Sequence, residues 1–282
     1  MVRWRPPIVV LVPLVVACGR LGYDPVADGS ATPDSQPPFG AATLVPLAPD
    51  VHDPALTGDL LRIVFASGDD LYTSTRPAPD RSWLDPTPIV PLNTPAIETA
   101  PGMSLDGLSL YFSSNRAPAV GSRDLWLSDR ARITDAWGAP VHFVDASSAG
   151  LDTGPQPAAS GLLLVLDRDR DLYVSARTSP SGAWPAPEPM EELNTPFEEA
   201  DPMLARGGLS IVFASNRPGG PGGRDLYRAD RRSLSEPFDA PEPIDALNSP
   251  AQDGDPWVSE DLQRIFFVSD RSGASQLYDS GP

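Results

Sequence analysis

The chain has 282 residues, 38 of them Asp or Glu against 21 Lys or Arg, and a formal net charge of −17. All 21 basic residues are arginine, and an acidic excess of this size repels nucleic acid and anionic lipid headgroups alike. The 35 prolines and 23 glycines interrupt the chain too often for long helices, and a single cysteine excludes an internal disulfide.

Residues 1–17 read as a targeting segment. Arg3 and Arg5 make a positive start, and Ile8 to Ala17 is an apolar run too short to span a bilayer. The run ends Val15-Val16-Ala17-Cys18, which resembles a bacterial lipobox. That resemblance implies cleavage before Cys18 and its lipidation, and acyl chains in that number anchor stably. Gly19, in place of aspartate, implies sorting to the outer membrane, facing the periplasm or the cell surface. Residues 18–38 are rich in Pro, Asp, Ser and Gly with few large apolar residues. They bury too little surface to offset ordering entropy, and are expected to be a flexible tether.

From residue 39 the chain repeats itself. Five strand–loop–strand units follow: LRIVFASGDDLY from Leu61, LSLYFSSNRAPAVGSRDLW from Leu108, LLLVLDRDRDLY from Leu162, LSIVFASNRPGGPGGRDLY from Leu209 and QRIFFVSDRSGASQLY from Gln263. A proline stands nine residues before each first-strand anchor: Pro54, Pro101, Pro155, Pro202 and Pro256. An aromatic follows the second strand four times, as Trp83, Trp137, Trp184 and Phe238. Only the hairpin loop changes length, so insertions fall on one edge of a stacked array. The first hairpin strand is apolar on both faces, as for a sheet sandwiched between neighbours. The proline-rich aromatic segment suits an outer edge strand.

These repeats, with the linking LNTP from Leu193, resemble WD40-like β-propeller repeats of the kind found in the periplasmic Tol-system propeller and in bacterial surface lipoproteins. The resemblance implies an all-β propeller over residues 39–282. Its function stays open, because the fold hosts many activities. Five proline strands and five hairpins predict five blades of four antiparallel strands. The fifth aromatic strand is missing after Tyr278, and FGAATLVPL from Phe39 is predicted to supply it, so that the N-terminal strand closes the last blade.

Chemistry is sparse. His52 and His142 are the only histidines, no G-x-S-x-G elbow occurs, and no Cys/His spacing fits zinc. No catalytic residue, metal site or cofactor is predicted. The run Asp167-Arg168-Asp169-Arg170-Asp171 is read as a solvated, self-paired turn. Arg116, Arg170, Arg217 and Arg271 are expected to contact Asp124, Asp171 and Asp225 across their hairpins. The remaining candidates are the acids before each proline: Asp53, Glu98, Asp152, Glu199, Asp201, Asp253 and Asp255. On innermost strands they would ring one mouth of the central channel; alternatively they cap turns and solvate the rim.

Three functions fit. The leading one is a lipid-anchored, non-catalytic, monomeric envelope propeller that binds a protein or a glycan, a cationic protein segment or a divalent ion suiting the acidic ring best. The second is a glycoside hydrolase or lyase using channel-mouth carboxylates, which requires two carboxyls roughly 5 to 9 Å apart. The third is a structural surface lipoprotein.

Overall fold

The computed structural model describes residues 39–281. The expected leader, Cys18 and the whole of the expected tether lie outside them. The described chain forms twenty short strands in five four-stranded antiparallel sheets. A short β1 (Thr43–Leu44) comes first. Blade one follows as β2 (His52–Leu56), β3 (Arg62–Ser67), β4 (Asp70–Thr75) and β5 (Thr87–Pro88). Blade two is β6 (Glu98–Met103), β7 (Ser109–Ser114), β8 (Asp124–Asp129) and β9 (Val141–His142). Blade three is β10 (Asp152–Pro157), β11 (Leu163–Arg168), β12 (Asp171–Ala176) and β13 (Glu188–Pro189). Blade four is β14 (Glu199–Ala205), β15 (Ser210–Ser215), β16 (Asp225–Asp230) and β17 (Glu242–Pro243). Blade five has β18 (Asp253–Val258), β19 (Ile265–Ser269) and β20 (Gln276–Ser280). Its fourth strand is β1, which pairs Thr43 with Asp279 and Leu44 with Tyr278. The five-bladed propeller and its closure by the N-terminal strand are as the repeat arithmetic predicts.

Each second strand is the apolar centre of its blade because it is covered on both faces. All six residues of β15 are buried, as are all five of β19. Phe65, Phe112, Phe213, Phe266 and Phe267 are fully buried among them. Burying one such side chain contributes about 1.5–3 kcal/mol, and ordering entropy offsets most of the sum.

The aromatics sit differently from the sequence reading. Trp83, Trp137, Trp184 and Phe238 lie four residues before the outer strands, as buried side chains in otherwise largely exposed lead-in segments. Phe39, four residues before β1, fills the same slot in blade five. The outer strands are only two residues long, since their prolines supply no amide to a ladder. What holds the lead-in is a guanidinium on each ring: Arg76, Arg130, Arg177 and Arg231 lie 4.3, 4.0, 4.0 and 4.3 Å from the respective ring centres.

The LNTP motif is a clasp between blades. The side chains of Asn93, Asn194 and, in the variant LNSP, Asn248 each accept from the amide and donate to the carbonyl of the third-strand leucine, Leu71, Leu172 and Leu226. Both backbone groups are thereby satisfied where the blade ends.

Candidate functional site

The seven acids before the prolines divide into two sets. Residues three before the proline are Glu98, Asp152, Glu199 and Asp253, and all four are fully buried. Each accepts from the amide and hydroxyl of a Thr or Ser four residues earlier: Thr94, Ser148, Thr195 and Ser249. Each also pairs with a guanidinium. Arg116 meets Glu98 at 2.9 Å, Arg217 meets Glu199 at 2.9 Å, Arg168 meets Asp152 at 2.6 Å and Arg271 meets Asp253 at 2.5 Å. The same arginines donate to Leu92, Leu193, Ala146 and Leu247 carbonyls. These four acids are turn caps and buried ion pairs inside the blades, and do not join the channel mouth.

This corrects the expected arginine partners. Arg116, Arg217 and Arg271 bind acids of the innermost strand rather than those beside the DLY leucine. Asp124 instead meets His142 Nε2 at 2.9 Å, and Asp225 accepts from the Gly222 amide. Arg170 projects outward to Glu198. Blade one lacks the device altogether: buried Val51 stands where the acid would be, and exposed Asp69 where the arginine would be.

The residue directly before each proline behaves otherwise. Asp53, Ala100, Gly154, Asp201 and Asp255 all have positive φ, between 47° and 59°. Each sits where the inner strand slips register against its neighbour, and such a bulge re-aims its side chain. Here it turns the side chains of Asp53, Asp201 and Asp255 toward the propeller axis, where one carboxylate oxygen from each comes within 4.8 Å of the others. The inner-strand starts lie opposite the ends of the second strands, so this cluster is at the mouth carrying the hairpin loops. Exposed Asp69, Asp169 and Asp270 stand on those loops, and exposed Asp50, just before β2, accepts from the Gly68 amide of the first of them.

Carboxylates at the axis cap the inward amides of the next blade. Asp255 accepts from the Asp53 amide at 3.1 Å, and Asp53 from the Ala100 amide at 3.2 Å. In blade three the bulge residue is Gly154, and Asp167 of β11 takes over, accepting from the Asp201 amide at 3.2 Å. A Cβ at Gly154 would lie 2.7 Å from the Asp167 carboxylate, so the missing side chain is what admits it. The solvated turn expected for residues 167–171 is therefore confined to Asp169 and Arg170, with Asp167 buried and Arg168 paired to Asp152.

Two cations flank the cluster. Arg224 Nη1 lies 3.2 Å from Asp201 Oδ2, and His52 Nδ1 lies 3.8 Å from Asp255 Oδ2. Burial, with Asp255 nearby, pushes the Asp53 carboxyl up to about 7. Burial likewise raises Asp167 to about 7 and Asp201 well above the usual range. Asp255 alone goes down: burial opposes ionisation, but His52 and the Asp53 amide outweigh it. Asp255 in turn lifts His52 to about 9. The axial cavity, lined by Asp53, Asp201, Asp255, Gly154, Gln156 and the flanking prolines, has a volume of about 10 Å³, room for about one water-sized occupant. Trp257, the tryptophan nearest these acids in sequence, is only 1% exposed and packs edge-on against Phe266, so it offers no sugar platform.

No family model and no curated protein matches this sequence. Solved structures do match. The chain is similar to a GH43 endo-arabinanase from Bacillus licheniformis at 12% identity and TM-score 0.59, covering 84% of this chain and 95% of that one. It is similar to the catalytic domain of a GH62 α-L-arabinofuranosidase from Coprinopsis cinerea at 13% identity and TM-score 0.55, covering 86% and 95%. TolB from Acinetobacter baumannii matches at 15% identity and TM-score 0.49, with 83% of this chain spanning 55% of that one. At such identities the shared property is the β-propeller fold. Among the described residues, no helix is long and apolar enough to cross a membrane.

Proposed function

We propose that this chain is a lipid-anchored, non-catalytic binding propeller of the cell envelope, and that its hairpin-loop mouth receives a cationic segment of a protein partner. One observation carries the binding half: acidic loops surround an axis whose own carboxylates converge in a cavity too small for a sugar ring. The exposed acids Asp50, Asp69, Asp169 and Asp270 give the opening a negative potential, which speeds capture of a positively charged partner. Four of the acids that a channel-mouth glycosidase would draw on are instead engaged in buried ion pairs. The anchoring half rests on Cys18 behind its charged, apolar leader.

Two experiments test the halves separately. Wild-type protein should partition into the detergent phase and Cys18→Ser into the aqueous phase; equal partitioning removes the anchor. Immobilised protein should capture a partner from envelope extract, and capture should weaken with salt, because screening length falls to about 3 Å at 1 M. An Asp50→Asn/Asp69→Asn/Asp169→Asn/Asp270→Asn variant that captures the partner with unchanged salt dependence overturns the acidic-mouth reading.

A further inference from the structure

The structural work of the axial carboxylates uses one oxygen of each. Asp255 and Asp53 take their amide bonds on Oδ2, and Asp201 takes Arg224 on Oδ2. Their Oδ1 atoms accept no hydrogen bond from the described residues. Amide capping therefore explains half of this oxygen set.

The other half has a companion from a different blade position. Gln156, in the bulged stretch of β10, lines the same cavity and is 92% buried, being only 8% exposed. Its Nε2 donates to the Pro101 carbonyl at 3.3 Å, which fixes the amide's orientation, since only the NH₂ end can donate there. Its Oε1 is left buried with no hydrogen-bond partner. A buried carbonyl oxygen without a donor is costly, and ionised carboxylates cannot supply one. Gly102 secures the placement: a Cβ there would come within 1.6 Å of the Pro155 carbonyl and 3.1 Å of the Gln156 amide carbon.

We infer that Asp53, Asp201, Asp255 and the Gln156 Oε1 form a binding site for one hard divalent cation at the propeller axis. The donors are all oxygen, which selects Ca²⁺, Mg²⁺ or Mn²⁺ over thiophilic metals. Size selects among these. Oxygens on opposite sides of Ca²⁺, each 2.3–2.6 Å away, stand about 5 Å apart, and those of Mg²⁺ about 4 Å. A set spread over up to 4.8 Å suits Ca²⁺. Four protein oxygens leave positions for water, which the mouth admits. Charge sets the limits: Asp167 adds to the negative side, while Arg224 and His52 oppose it. This site is independent of which partner the mouth receives.

The test uses the full chain in detergent, stripped with EDTA. Isothermal titration with CaCl₂ should show one saturable site, with MgCl₂ at least tenfold weaker, and Ca²⁺ should raise Tm. Asp201→Asn should weaken Ca²⁺ at least tenfold, Gln156→Leu several-fold, and the control Asp80→Asn, on the exposed β4–β5 connection, not at all. Tb³⁺ luminescence displaced by Ca²⁺ provides a readout on wild type should a variant fail to fold. Absence of saturable Ca²⁺ binding to wild type overturns the site, as does wild-type affinity in both folded Asp201→Asn and Gln156→Leu.

Discussion

Blade one carries the same fold as its neighbours without their buried ion pair, and that makes the pair's energetics measurable. In blade four, Glu199 is fully buried and receives Thr195 N, Thr195 Oγ1, Ser215 Oγ and Arg217 Nη2. Arg217 is 11% exposed, donates also to Leu193 O, and lies 5.0 Å from the Phe213 ring centre. Breaking such a pair by removing one partner costs about 3–5 kcal/mol, because a buried charge is stranded. Arg217→Asp should reach the upper end, since it sets a second carboxylate beside Glu199. Glu199→Val should cost about 3 kcal/mol: the arginine can reach solvent, but the Thr195 amide loses its acceptor. The double variant reproduces blade one's Val51 and Asp69. It should be less destabilised than the sum of the singles by about 2–3 kcal/mol, the coupling typical of contacting residues. Urea unfolding at pH 7.5 gives all three values from midpoints at constant slope. Additivity within about 0.5 kcal/mol would refute the assignment of these residues as a mutually dependent pair.

Two further outcomes are expected. A chain starting at Val51 loses buried Phe39, the β1–β20 pairing, the Val45 amide bond to Leu277 and the Ser280 bond to Gly40; it should lose about 3–5 kcal/mol, a fall in Tm of roughly 6–20 °C, and an unchanged melt would disprove closure by this strand. In EDTA, stability should decline as pH rises from 5 to 7.5, because Asp53 and Asp167, raised to about 7, favour the folded state fully only below the unfolded carboxylate range and lose that contribution as pH passes their folded values; an Asp53→Asn/Asp167→Asn variant that keeps the full decline would show that other groups cause it.

Much of this architecture is legible because a propeller repeats its solution. The pre-hairpin prolines, the DLY leucines and the aromatics recur at fixed intervals, so one unit's strands locate all the others and the count closes on Phe39. The acids were harder for a definite physical reason. Glu199 and Asp201 are two apart, and in a regular strand they would share a face. The positive φ of Asp201 and its bulge break that alternation, sending one side chain into the blade and the other to the axis. Asp167 was hidden by its arginine neighbours. The glycine at 154, where three other blades carry aspartate, is the trace of its role. The arginine partners were legible in principle too, since Val51 and Asp69 depart from the pattern together.

The axis is where the repeat's symmetry is broken, and the breaks do not cancel. A purely structural ring needs one acceptor per inward amide, and small residues such as Ala100 show that a blade can do without one. Yet where Gly154 removes an acid, Asp167 restores it from another strand, at the cost of burying a carboxyl among like charges. Gln156 then adds a buried oxygen with no donor to meet it. Each of these choices raises the local demand for positive charge. Arg224 meets part of it from one side, at Asp201, and His52 part from another, at Asp255. Neither lines the cavity between Asp53, Asp201 and Asp255. A fold under selection for stability alone has no use for that surplus, since replacing Gln156 by an apolar residue would remove the orphan oxygen without cost to any ladder. The surplus is explained by an occupant that supplies charge from within the cavity itself.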